Sequence, residues 1–309
     1  MWRFVLVSSV VGCAGDDGDP DGPTGAVDPF DQFVNVTVPA TGDFSCFTPT
    51  ADPAAAAWLV SAPDPALQLP YTVNGVVEDF QEGTPVGGAT VSLYGGDVVS
   101  GAPDATASAD VSGVVSLEAT ACAPLTYKVA AQSDPIATRT TYKAHQVYGA
   151  PAGGAIDGAS FVSVSDVTYQ LIPGILGIDV QPGLAVIAGT AYDCSRDPSQ
   201  VTDDPLGKVE GVQVVVYDAD GNIPDTMSVD YFVQQFPAED QAYTSADGLW
   251  VAANVPPGDL HVEMWGDVGG ALVLLGATDV RSEADSINIA NVFAGYGDGV
   301  KVPASCEAP

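Results

Sequence analysis

Apolar positions along this chain recur mostly with a period of two. Val212, Val214 and Val216 fall on one face of an extended segment, and Thr90-Val91-Ser92-Leu93-Tyr94 alternates in the same way. Successive strand residues point to opposite faces, so this spacing predicts strands with one face in a core. Further strand-like runs lie at Arg139–Val147 and Phe161–Val164. Helical periodicity is confined to one short stretch near Val167–Leu176, where Pro173 and Gly174 limit its regularity. The pattern predicts an all-β protein.

The pattern also repeats. Thr72-Val73-Asn74-Gly75-Val76-Val77-Glu78-Asp79 is followed by Pro85-Val86-Gly87-Gly88-Ala89 and the alternating run at Thr90. Val186-Ile187-Ala188-Gly189-Thr190-Ala191-Tyr192-Asp193 is followed by Lys208-Val209-Glu210-Gly211 and the alternating run at Val212. Downstream, Asp110 and Gly113 in the first copy stand where Asp247-Gly248 stands in the second, and Asp-Gly predicts a two-residue hairpin. Pro256-Pro257-Gly258 then leads into a final run, matched by Ala123-Pro124. Self-similarity at this scale predicts two copies of one β unit.

Composition sharpens this picture. Eight basic residues face forty acidic ones, a formal charge of −32, and thirty-two of the acids are Asp, which favours turns. Such a surface repels phosphate backbones and excludes nucleic-acid binding. It also repels anionic headgroups, so membrane attachment needs something other than charge.

With these motifs on the page, the two copies resemble the carboxypeptidase regulatory-like family, a small sandwich of transthyretin-like (prealbumin-like) topology. The second copy, from Val186 to about Phe293, carries most of the pattern, and the first is more degenerate. The resemblance implies two β-sandwich domains, at 43–165 and 184–295, with a linker at 166–183 and a tail at 296–309. It implies a structural or binding role and carries over no catalytic residue.

The chain opens Met1-Trp2-Arg3, continues with the apolar run Phe4–Val11 and reaches Gly12-Cys13. A basic residue, a short apolar stretch and a small residue before a cleavage point are the parts of a signal peptide, here 1–12. Val10-Val11-Gly12-Cys13 resembles the bacterial lipobox, which implies a lipidated Cys13 as the mature N-terminus. Residues 13–42 begin with Asp16, Asp17, Asp19 and Asp21 among Gly and Pro, and they read as a flexible acidic tether. The expected address is the cell envelope, with Ala14 after the cysteine favouring the outer membrane or cell surface.

Four cysteines remain, Cys46, Cys122, Cys194 and Cys306. An even number in an exported chain predicts two disulfides with three connectivities. One pair falls in each half, which favours Cys46–Cys122 and Cys194–Cys306.

The search for chemistry finds little. His145 and His261 sit in no zinc-peptidase motif. His261 and Glu263 share one strand face and can pair there. Asp218-Ala219-Asp220-Gly221-Asn222 has the alternating acids of a calcium turn, although a plain β-turn explains it as well. No catalytic, metal or cofactor site emerges. The sequence points to a non-enzymatic module held on a membrane by its lipid, serving a structural, adhesive or binding role toward a surface protein or glycan. The alternative is a carbohydrate-binding accessory protein that uses Trp250, Trp265 or Tyr231. A hydrolase built on carboxylates would need a buried acid pair in a cleft.

Overall fold

The computed structural model describes residues 38–96, 99–151, 153–198, 207–298 and 300–307. Cys13, the signal segment and the tether up to residue 37 lie outside the described residues. The chain is all-β, and the repeat seen in the sequence is visible in the strand pairing.

The first copy opens with β1 (Pro70–Asp79), which pairs antiparallel with β4 (Val114–Thr120) and parallel with β8 (Ala155–Ser165). The second opens with β9 (Ala185–Tyr192), antiparallel to β13 (Leu249–Val255) and parallel to β16 (Ile287–Ile289) and β17 (Val292–Phe293). Each copy has an opposing antiparallel layer. In the first it is β2 (Thr90–Gly95), β5 (Pro124–Val129) and β7 (Thr141–Val147), with β3 (Ala105–Ser108) at its edge. In the second it is β10 (Val212–Asp218), β14 (Gly258–Val268) and β15 (Ala271–Ser282). A short β6 (Thr138–Arg139) pairs with β8, while β11 (Ser228–Val233) pairs with β13 and β12 (Phe236–Ala238).

Each copy has a main core, and a further cluster joins Val162 and Val164 of the first copy to Val186, Val251 and Ile287 of the second. Val73, Val77, Val91, Tyr127, Val129 and Phe161 fill the first, and Ile187, Val214, Trp250, Val262, Met264 and Leu275 fill the second. The copies are joined edge to edge, because β7 pairs in parallel with β16 and makes one sheet that runs through both halves. The expected linker at 166–183 holds α1 (Asp166–Ile175), close to the predicted helix. The Ser165 hydroxyl caps it by accepting the Thr168 N–H at 3.2 Å. With the following loop, α1 covers the sheet face bearing Val186, Val251 and Ile287, opposite the face that holds Ile187 and Trp250. Asp247-Gly248 does form a turn, with the Gly248 N–H on the Ser245 carbonyl at 2.9 Å. It joins no paired strands, however, since the neighbours of β13 are β9 and β11. The predicted hairpin is therefore a corner turn.

One glycine in each opening strand has a common cause. A Cβ on Gly75 would stand 2.4 Å from the Ala159 carbonyl oxygen, and one on Gly189 would stand 1.8 Å from that of Ala290. In both copies the parallel neighbour brings a carbonyl against the first strand where its pairing is irregular, at the Asn74/Gly75 register shift in the first copy and between β16 and β17 in the second, and only glycine leaves room. The Gly-bearing strand of the sequence motif is a packing requirement.

The chain ends cross between the halves. Residues 38–60 run along the second copy. The Ala40 N–H bonds the Asp267 carbonyl at 2.8 Å, Thr50 bridges Leu274, and Trp58 packs with Trp265. Residues 38–42, expected at the end of the tether, are thus paired to the body, and the start of the expected first domain lies on the second. The tail crosses the other way, with Val300, Val302 and Cys306 packed against Ala121, Cys122 and Val147 of the first copy.

The disulfides follow this crossing. Cys46 is bonded to Cys194, and Cys122 to Cys306. The expected pairs Cys46–Cys122 and Cys194–Cys306 are incorrect. They assume that each end stays with its own half, and both ends leave it.

Candidate functional site

The strongest cluster of titratable groups lies on the outer face of the three-stranded layer. Register places Tyr217, His261 and Asp279 directly opposite one another on β10, β14 and β15. His261 Nδ1 lies 2.6 Å from Asp279 Oδ1, and its Nε2 lies 3.5 Å from Glu263 Oε1. The pairing of His261 with Glu263 expected from alternation is present, but the closer partner is Asp279, which only the β14–β15 register brings near. Glu263 is almost fully buried, and its Oε2 accepts the Trp265 indole N–H at 2.9 Å.

His145 reaches the same point from the first copy. It is buried on β7 with φ +55°, at a register irregularity opposite β5. A bulge of this kind re-aims a side chain out of its ladder. His145 Nε2 donates to the Asp279 carbonyl at 2.5 Å. The two histidines of the chain, 116 positions apart by number, therefore meet on one aspartate at the junction of the halves.

The electrostatics define what this junction can do. Hydrogen bonds to Asp279 and then Glu263 raise the His261 pKa to about 9, against an opposing push from burial. Burial raises the Glu263 pKa, but hydrogen bonds from His261 and Trp265 outweigh it and hold the carboxyl below its ordinary value. At neutral pH His261 is an imidazolium. A protonated imidazole is neither a general base nor a metal ligand. The arrangement is a charged clasp.

The clasp has a testable pH dependence. The folded pKa of His261 lies above its unfolded value, so its contribution is complete below about pH 6.5 and is lost as pH rises through about 9. The ring is 41% exposed, so solvent screens part of the effect. Proton NMR titration of the folded protein is expected to place His261 near pH 9 and to lower that midpoint in Asp279→Asn. A midpoint near that of a free histidine would show that the clasp is not formed.

Other predicted site residues resolve differently. Asp218 Oδ1 accepts the N–H groups of Asp220 and Asn222 at 3.0 and 2.8 Å, which closes the turn on itself. Among the described residues no group of three His, Cys, Asp or Glu side chains is placed to hold a metal ion. Trp265, Trp250 and Tyr231 are 0%, 1% and 5% exposed, so these rings, expected from the sequence to serve a glycan, offer no aromatic platform for one. The Tyr231 hydroxyl instead accepts the Val214 N–H at 2.8 Å.

A second polar cluster ties down the crossing chain ends. The Asp193 carboxylate accepts the Asp43 N–H at 2.7 Å and the Ser195 hydroxyl at 2.7 Å. Lys301 from the tail donates to the Cys194 carbonyl at 2.9 Å and to that of Arg196. Burial pushes the Lys301 pKa down, while Asp197 and Asp193 oppose this. These groups fasten the N-terminal segment, the loop after β9 and the tail around the Cys46–Cys194 bridge.

No protein-family model matches the chain, and no curated protein matches it. Among solved structures it is similar to the Bacillus anthracis TIE protein, at 11% identity over 73% of this chain and 34% of that one, with a TM-score of 0.24. It is similar to the shaft pilin SpaA from Lactobacillus rhamnosus GG, at 10% identity over 73% of this chain and 98% of that one, with a TM-score of 0.23. It is also similar to BcpA, the major pilin subunit of Bacillus cereus, at 9% identity over 73% of this chain and 100% of that one, with a TM-score of 0.24. At such TM-scores these likenesses carry no weight for architecture or function. Among the described residues no helix is long and apolar enough to cross a membrane.

Proposed function

We propose that the chain is a non-catalytic structural or adhesive module of the bacterial cell surface, built from two carboxypeptidase regulatory-like sandwiches and held to a membrane by a lipid on Cys13. The disposition of the cysteines carries this reading. Four of the five are bonded to one another in the folded body, which leaves Cys13 alone, in a lipobox-like sequence ahead of an acidic stretch. Each buried methylene of an acyl chain adds about 0.8 kcal/mol of membrane affinity, and two or three chains hold a protein firmly. A lipid supplies the attachment that a chain of net charge −32 cannot gain from anionic headgroups.

The repeated strand pairing and the paired glycines of β1 and β9 support the family assignment. The non-catalytic reading draws on the family resemblance, which carries over no catalytic residue. Partners are the membrane, through the lipid, and a surface protein or glycan engaged elsewhere than at Trp250, Trp265 or Tyr231.

Metabolic labelling with a fatty acid tests the anchor. Wild-type protein is expected to take up label and to sediment with membranes, and Cys13→Ser is expected to lose both properties. Label persisting in Cys13→Ser, or absent from the wild type, would refute the anchor.

A further inference from the structure

We infer that the oxidised protein is a link of limited extension in which each disulfide backs up the other. This property follows from where the four cysteines sit and is independent of a lipid on Cys13. The loop closed by Cys46–Cys194 contains Cys122, and the loop closed by Cys122–Cys306 contains Cys194, so the two loops interlock.

Load applied at the chain ends enters close to both bridges. From Val38 it crosses the bonds of Ala40 and Thr41 to the second copy and reaches Cys46. From Glu307 it reaches Cys306 at once. When the fold opens, the shortest covalent route from Val38 to Glu307 passes through both bridges and the stretch between Cys194 and Cys122. That route is about 80 residues, or about 280 Å at roughly 3.5 Å per residue, against about 270 residues for the unbridged chain.

Interlocking makes the limit tolerant of damage. If Cys46–Cys194 is lost, the route through Cys122–Cys306 is about 85 residues, and if Cys122–Cys306 is lost, the other route is about 120. The pairing Cys46–Cys122 with Cys194–Cys306 would set the same intact limit, but losing one bridge would lengthen the route to about 155 or 195 residues. Crossed pairing therefore holds extension within about 1.5-fold after a single break, where in-half pairing would allow about twofold or more. The bridges also differ in access. Cys122 and Cys306 are fully buried, whereas Cys46 lies at the surface beside its bonded partner.

Single-molecule pulling on the wild-type chain tests this without any variant. Gripped at both ends without reductant, the protein is expected to open to about 80 residues between Val38 and Glu307. Reductant added to the stretched chain should then release it in two steps. The first is expected to be about 5 or about 40 residues, and the second should complete the roughly 270. A first step of about 75 or 110 residues, or an oxidised extension well beyond 80, would overturn the inference.

Discussion

Gly189→Ala is expected to destabilise the second half by roughly 3 kcal/mol or more, the upper range for overpacked cores. The added methyl would lie 1.8 Å from the Ala290 carbonyl oxygen and 2.9 Å from the Trp250 ring. The first contact is with backbone, which cannot swing aside. Ala290 is itself fixed, because its N–H bonds the Ala188 carbonyl at 2.8 Å, so the two strands would have to separate. Gly75→Ala should act likewise in the first half, against the Ala159 carbonyl at 2.4 Å. Gly174→Ala is the control. It has open space around it in α1, where alanine gains up to about 1 kcal/mol over glycine. Urea unfolding followed by far-UV circular dichroism reads all three. A Gly189→Ala variant as stable as the wild type would mean that the Ala290 backbone does not approach β9 as described.

Replacing Cys122 and Cys306 together by alanine is expected to cost roughly 3–5 kcal/mol. The bridge spans 184 residues and pins the tail to the first copy. Both sulfurs are buried among Ala121, Val147, Val300 and Val302, so its removal also loosens that cluster. Proteolysis should then cut the tail first, before either core opens. Replacing Cys46 and Cys194 should free the opposite end, where the Asp193 and Lys301 contacts remain to restrain it. Thermal melting and limited proteolysis of the two double variants distinguish the ends. Equal, slight losses with no gain in tail cleavage would contradict the crossing.

The features legible in the sequence are local ones. Alternation at Val212–Val216 locates β10, and the Gly-bearing strands locate β1 and β9, because strand period and backbone crowding act within a few residues. The short helix near Val167–Leu176 is legible for the same reason, with Pro173 and Gly174 near its C-terminal end, whereas its Ser165 cap emerges only in the structure. The disulfide partners are not legible, because they depend on where residues 38–60 and 300–307 dock, and no nearby pattern encodes that. Asp279 is missed as the main partner of His261 for a related reason, since only the register between β14 and β15 brings it there. Trp250 and Trp265 resemble binding aromatics in the sequence. Residues remote in sequence bury them, with α1 and β10–β14–β15 covering opposite faces of the sheet around β13 and Trp58 covering β14.

The histidine clasp adds a long-range link between the halves. Its residues lie on β7, β14 and β15, and it joins the copies where the shared sheet does. Parallel pairing of β7 with β16, the His145 bond to Asp279 and the two crossed bridges all tie one copy to the other.

Non-reducing peptide mapping of protein extracted from membranes tests the central claim most directly, because one spectrum reports all five cysteines. The account predicts an N-terminal peptide that begins at Cys13 and carries a diacylglycerol mass, together with linked peptides for Cys46–Cys194 and Cys122–Cys306. A bare or disulfide-bonded Cys13, or linked peptides joining Cys46 to Cys122 and Cys194 to Cys306, would contradict it.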